Sequence, residues 1–214
     1  SAGSISLGDA ALLVADRGRF MQEAVPAGVG AMAAILGLDD SIVIDVCEKA
    51  AADEVVTAVN FNSPGQVVVA GHTAAVERAV TLAKEAGAKR ALILPVSVPS
   101  HCSLMNPAAE QLEDRLSGIN ISTPSVPVYN NVDVESENEP DAIRNALKRQ
   151  LFSPVRWVDT INTFAQKDIK HIIECGPGKV LAGLNKRINK QMAVHSTLDV
   201  DNFKKAIESV QEEG

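Results

Sequence analysis

Between Gly30 and Val96 the apolar residues switch repeatedly between the period of a strand and the period of a helix, and this succession constrains the fold more than any other feature of the chain. Gly30 to Leu38 (GAMAAILGL) reads as a buried strand, and Asp39-Asp40 opens a helix that runs to about Ala52. Val55 to Asn60 is a second strand, Ser63-Pro64-Gly65 a turn, and Gln66 to Ala70 a third strand paired with it. Thr73 to Ala86 is a helix ended by Gly87, and Arg90 to Val96 is a fourth strand. The order βαββαβ is that of a ferredoxin-like split unit, four strands with two helices on one face, for which about 70 residues suffice.

The segments on either side follow a different pattern. A helix is expected from Leu7 to Val25, with Ser6 and Asp9 in a capping-box arrangement and with Pro26 and Gly28 closing it. After the βαββαβ unit come a helix within Ser103–Leu116 and a strand over Val126–Asn130. Helices over 141–152 and 158–166 precede a strand from His171 to Glu174, which leads through Cys175-Gly176-Pro177-Gly178 into a helix from Lys179 to Ile188. A short strand Ala193–Ser196 and a helix Asn202–Val210 follow, and Glu212-Glu213-Gly214 is expected to fray. Strands alternating with helices imply a parallel α/β sheet.

Composition removes several functional classes. The 214 residues carry a formal net charge of −7, the wrong sign for a protein that grips nucleic-acid phosphates. Aromatic residues are only 3% of the chain, so stacking platforms for bases or sugars are scarce. Cys47, Cys102 and Cys175 are an odd, widely spaced set, which fits a reducing cytoplasm better than a disulfide framework or a zinc site. No apolar run is long enough to span a membrane.

Several residues sit where their chemistry is awkward. Arg17 shares the apolar face of the first helix with Leu13, Phe20 and Met21. It needs a carboxylate or carbonyl partner, supplied by a ligand, a structural ion pair or a snorkelled position. His101 lies in the loop that leaves the fourth strand, where catalytic groups gather. The adjacent Cys102 does not make a dyad with it, because neighbouring side chains rarely face each other. Gln150 occupies the apolar stripe of Ile143, Ala146, Leu147 and Leu151, so its amide either ties down a loop or orients another polar group. Asn60 and Asn62 project from one face of a strand end, where turn chemistry alone could explain them. Gly176-Pro177-Gly178 lacks the spacing of a phosphate loop and reads as a tight structural connection.

Taken together, six stretches carry a resemblance: Arg17 to Pro26, Gly30 to Ala34, Val59 to Gln66, Pro95 to Cys102, Asn130-Asn131-Val132-Asp133, and Gly176-Pro177-Gly178-Lys179. In this order they resemble the malonyl-CoA:acyl carrier protein transacylases. The resemblance implies an α/β-hydrolase-like large domain over 1–27 and 98–214, incomplete here, with an inserted ferredoxin-like subdomain over 28–97. It implies that His101 is the catalytic base and that Gln150 offers the backbone carbonyl that orients it. Arg17 would bind the free malonyl carboxylate, with Asn60, Asn62 and Ser100 at the substrate. Malonyl-CoA and acyl carrier protein are the implied partners, with no cofactor or metal, in a cytoplasmic monomer. The carrier, itself acidic, would need a local basic patch, for which Lys179, Lys186, Arg187 and Lys190 are the candidates, Lys186 and Arg187 foremost.

The family's Gly-His-Ser-x-Gly nucleophile elbow occurs nowhere in the sequence. Ser1, Ser4 and Ser6 lack its flanking glycines. The chain is therefore expected to begin just beyond the elbow and to be unable, alone, to form an acyl-enzyme. The competing reading is a non-catalytic module that uses the same fold to hold acyl-CoA or carrier protein.

Overall fold

The structure is a computed structural model describing residues 1–96 and 98–212. Ser97, inside one of the motif stretches, and Glu213-Gly214 of the expected frayed tail lie outside the described residues. The chain divides into two compact units, Ser1–Arg156 and Trp157–Gly214.

In the first unit, α1 (Leu7–Ala24) begins where Ser6 Oγ accepts the amide of Asp9, as the capping pair predicts. The βαββαβ order is observed as β1 (Gly30–Leu36), α2 (Asp40–Ala51), β2 (Val56–Ser63), β3 (Gln66–His72), α3 (Thr73–Glu85) and β4 (Arg90–Ile93). The strands form one sheet in the order β2-β3-β1-β4, with every neighbouring pair antiparallel. Alternation on β1 sends Ala31, Ala33 and Ile35 to the face covered by the helices and Met32 to the other. Val67 and Val69 of β3 join the first set, and Val68 and Ala70 the second. From the helices, Val43, Val46, Cys47 and Ala50 of α2 meet Ala75, Val76, Ala79 and Ala83 of α3 at helical spacing. So many alanines let the helices approach the sheet closely, which explains a tight core with few aromatics.

A second core in this unit joins α1 to α4 (Asn106–Ser117), with Leu13, Phe20 and Met21 against Leu112 and Leu116. Leu151, just past α5 (Pro140–Arg149), is fully buried in the same cluster. The sheet's outer face carries Cys102, so the loop after β4 is held against the sheet. Gly30 makes this approach possible: a Cβ there would lie 2.4 Å from Cγ of Pro99.

Three expectations change. The strand over Val126–Asn130 is absent, and only a Tyr129–Ser136 bridge forms, because Pro127 removes a donor from the middle of the run. β4 stops at Ile93 ahead of Pro95, while β2 continues to Ser63 through two register shifts. The turn itself is therefore only Pro64-Gly65, with Gly65 at φ 70° where a left-handed residue is required.

The second unit contains α6 (Trp157–Gln166), β5 (His171–Glu174), α7 (Val180–Ile188), β6 (Ala193–Ser196) and α8 (Val200–Glu212). β5 and β6 are parallel, as expected, and Ile161, Ala182, Met192 and Val194 form the core beneath them. No helix is long and apolar enough to cross a membrane among the described residues.

Candidate active site

A helix leaves its last carbonyls without intrahelical partners, and just past the last residue of α5 two successive carbonyls are taken by one residue from a distant loop. His101 Nδ1 lies 2.8 Å from the carbonyl oxygen of Gln150, and the His101 amide donates to the carbonyl of Leu151 at 2.9 Å. The preceding carbonyl, that of Arg149, is already used by the amides of Phe152 and Ser153. Because a carbonyl oxygen can only accept, Nδ1 carries the ring proton and Nε2 keeps its lone pair. This is the tautomer of a general base, with a peptide carbonyl in the place a carboxylate takes in a Ser-His-Asp triad.

The backbone at His101 has φ 67°, in the left-handed region that a non-glycine residue occupies at a cost of about 1–3 kcal/mol. Its two bonds to the α5 end hold it there. Burial pushes the imidazole below its ordinary pKa; the Gln150 hydrogen bond opposes this, and the nearby charge of Arg17 adds to it. The ring therefore stays neutral, and able to take a proton, over a wider range than a free histidine.

Arg17 reaches the same residue from the other side. Its Nη2 donates to Gln150 Oε1 at 2.7 Å, so the backbone of Gln150 serves His101 while its side chain serves Arg17. Among the described residues no carboxylate pairs with Arg17, which removes the structural ion pair from the readings of this residue. A half-buried guanidinium with a neutral amide as its partner and further N–H groups to offer suits an incoming carboxylate. Gln150 also lines a cavity of about 630 Å³ whose wall includes Ile5, Ile121, Val126, Val128 and Leu147. Ser4, Tyr129, Asn130 and Asn131 line it as well, and among the described residues no lysine or arginine does.

The other expected site residues are less closely tied. Asn60 bridges in parallel to Val155, within the segment that follows Gln150, with the Phe61 amide donating to Val155 and the Val155 amide to Val59. The register shifts on either side of Asn60 and Phe61 break the simple alternation on which the pairing of Asn60 with Asn62 rests. No hydrogen bond among the described residues joins the side chain of Asn62 or Ser100 to Arg17, Gln150 or His101. Cys102 donates to the Pro99 carbonyl and burial raises its thiol pKa, consistent with an inert neighbour of His101.

In the second unit the Gly176-Pro177-Gly178 turn is occupied by the protein itself. Glu174 accepts from the amides of Leu181 and Ala182, placing its carboxylate where a phosphate would sit. Lys179 and Lys186 line a groove of about 500 Å³, joined by Lys205 of α8, while Arg187 does not line it. Lys205 was not legible as a member because it comes from a different helix. Among the described residues no group of three or more histidine, cysteine, aspartate or glutamate side chains could hold a metal ion.

Residues 1–207 match the model of the acyl transferase domain family. The chain belongs to that family. An Escherichia coli malonyl CoA-acyl carrier protein transacylase is 60% identical to this acyltransferase domain over 187 residues, covering 87% of this chain and 60% of the relative. The solved Coxiella burnetii malonyl CoA-acyl carrier protein transacylase superposes with a TM-score of 0.95 at 48% identity, covering 97% of this chain and 66% of that one. A malonyl-transacylase solved in complex with its type II PKS acyl-carrier protein gives a TM-score of 0.95 at 50% identity, covering 97% and 67%. The chain thus spans about 60% of the length of the first of these relatives.

Proposed function

We propose that these residues supply the base and the carboxylate-binding group of a malonyl transferase that moves malonate from malonyl-CoA to the phosphopantetheine thiol of acyl carrier protein. The observation that carries this is the shared anchoring of Arg17 and His101 on Gln150, at 2.7 Å and 2.8 Å. His101 Nε2 takes the proton of a serine hydroxyl as its oxygen attacks the thioester carbonyl, then returns that proton to the leaving coenzyme A thiolate. In the second half the same nitrogen takes the carrier thiol's proton, the thiolate attacks the acyl-serine, and the serine oxygen leaves with the proton. Arg17 holds the malonyl carboxylate throughout, releasing Gln150 Oε1 or sharing its donors with it. Asn60, Asn62 and Ser100 complete the substrate-contacting set in this reading, and the bridge from Asn60 to Val155, in the segment after Gln150, supports Asn60.

The fold that fits this reading is an α/β-hydrolase-like large domain, made of 1–27 and 98–214, with a ferredoxin-like subdomain over 28–97. The β2-β3-β1-β4 antiparallel order with two helices on one face supports the subdomain. No cofactor is needed beyond the coenzyme A of the substrate, and the reaction suits a cytoplasmic monomer. An acidic carrier would dock at Lys186 and Arg187, supported by the groove that Lys186 shares with Lys179 and Lys205.

The serine must come from outside this motif set, since no Gly-His-Ser-x-Gly occurs in the 214 residues. Incubated with malonyl-CoA, the 214-residue chain should show no covalent malonyl adduct by intact mass, and a chain extended to the length of its relatives should show one. An adduct on the short chain would overturn the assignment of the nucleophile. Charge reversal at Lys186 and Arg187 in the extended chain should slow transfer to carrier protein far more than hydrolysis of malonyl-CoA; equal slowing would remove the docking assignment.

A further inference from the structure

Gln150 can orient His101 only if the last turn of α5 is itself fixed, and a motif that the acyl-transfer reading leaves unused does the fixing. The side chain of Asn130 closes a turn: its Oδ1 accepts the amides of Val132 and Asp133 at 3.0 and 2.8 Å, and its Nδ2 donates to the Glu135 carbonyl. Val134 completes the turn at φ 64°, a left-handed conformation that is an outlier for a β-branched residue, and it is buried at 7% exposure. The turn therefore holds a strained shape that Asn130 and the surrounding packing impose.

Its product is the position of Asp133. Both carboxylate oxygens of Asp133 accept from Arg149, at 2.7 Å from Nη1 and 2.5 Å from Nη2, while Arg149 Nε donates to Asn145. Arg149 lowers the Asp133 carboxyl pKa, so the pair is ionised throughout the neutral range. Arg149 immediately precedes Gln150. Beyond Gln150 the same turn acts again, because the Asn131 carbonyl accepts the amide of Arg156, next to the bridge from Val155 to β2. The stretch carrying the carbonyls of Gln150 and Leu151 is thus tied at both ends to one turn.

We propose that Asp133 and Arg149 are positioning residues for His101, acting through the carbonyl of Gln150. Without the fork between them the end of α5 loses its lateral fixture, and Nδ1 of His101 loses the acceptor that selects its tautomer. The consequence for catalysis rests on the acyl-transfer reading above, but the geometry does not, and the test is made without turnover.

Histidine-labelled 214-residue chain would be examined by imidazole nitrogen NMR, with His101 assigned by its loss in His101→Gln. In the unsubstituted chain His101 should sit in the Nδ1-protonated tautomer. In Asp133→Asn and Arg149→Gln the ratio of that tautomer to its alternative should fall about fivefold, the loss of one hydrogen bond of ordinary net strength. The charge-swapped Asp133→Arg/Arg149→Asp chain should recover part of it. An unchanged ratio in folded Asp133→Asn and Arg149→Gln chains, with only the melting temperature lowered, would make the pair purely structural and overturn the proposal. Should Asp133→Asn fail to fold, Arg149→Lys, which keeps the charge but not the fork, carries the same reading: an intermediate ratio supports the proposal and an unchanged one overturns it. A shifted tautomer with no effect on transfer in the extended chain would instead count against His101 as the base, which separates the two claims.

Discussion

Two helix ends in this chain are finished in different ways. The start of α7 follows Gly176-Pro177-Gly178, which lacks the spacing of a phosphate loop, while the end of α5 carries Gln150, a polar residue on an apolar stripe. In the structure the first is closed by Glu174, whose carboxylate takes the amides of Leu181 and Ala182. Just past the second, the carbonyls of Gln150 and Leu151 are taken by His101, a residue on a strained loop from another part of the unit. Unsatisfied backbone groups are thus met at one terminus by a carboxylate and at the other by an imidazole that keeps a ring nitrogen free.

The strongest way to break this contrast is to remove the group that caps α5. In a chain extended to the length of its relatives, His101→Ala should lower kcat by about 10²–10⁴-fold, the range for loss of a positioned base. A fall of less than tenfold would show that another group takes the proton. Next comes the wedge that fixes the α5 end, Leu151. Its truncation to Ala empties a fully buried site and should cost about 2–5 kcal/mol in denaturant unfolding of the 214-residue chain. A cost below about 1 kcal/mol would mean that α5 is not anchored there.

At the other helix end, Glu174→Gln should cost only about 1 kcal/mol by the same measurement, because a neutral acceptor remains at the amides. It should leave the His101 NMR signals unchanged, and movement of those signals would erase the distinction between the two termini. The smallest effect is in pH. Since burial lowers the His101 pKa, the acid limb of kcat/KM should fall below the ordinary histidine value near 6.5. The unfolded chain takes up this proton more readily than the folded one, so stability should decline as pH drops through that value toward the folded pKa. A limb above 6.5 would contradict the direction.

The legible parts of the molecule are those with a period. Ala31, Ala33 and Ile35 alternate with Met32, and Val43, Val46, Cys47 and Ala50 repeat at helical spacing, so the sheet and its helices follow from pattern alone. Arg17 was conspicuous for the same reason, as a charge on an apolar stripe. What periodicity could not supply is any contact made across the chain at an element's end. The Gln150 carbonyl meets His101 across 49 residues, a relation that only the family resemblance anticipated. The Leu151 carbonyl, the Asp133–Arg149 fork and the left-handed backbone at His101 and Val134 leave no mark in local sequence. Pro127 removes a ladder donor from the apolar run around it, and the strand that the run's apolar character predicts does not form.

Arg17 is held by the neutral amide of Gln150, and its proposed carboxylate-binding role can be measured directly. The direct measurement is kcat/KM of Arg17→Ala, in the chain extended to its relatives' length, for malonyl-CoA and for acetyl-CoA side by side. Malonyl transfer should fall about 10²-fold, the loss of a charge-assisted bidentate contact, while acetyl transfer holds or rises. Equal losses with the two substrates would contradict a carboxylate-binding role for Arg17.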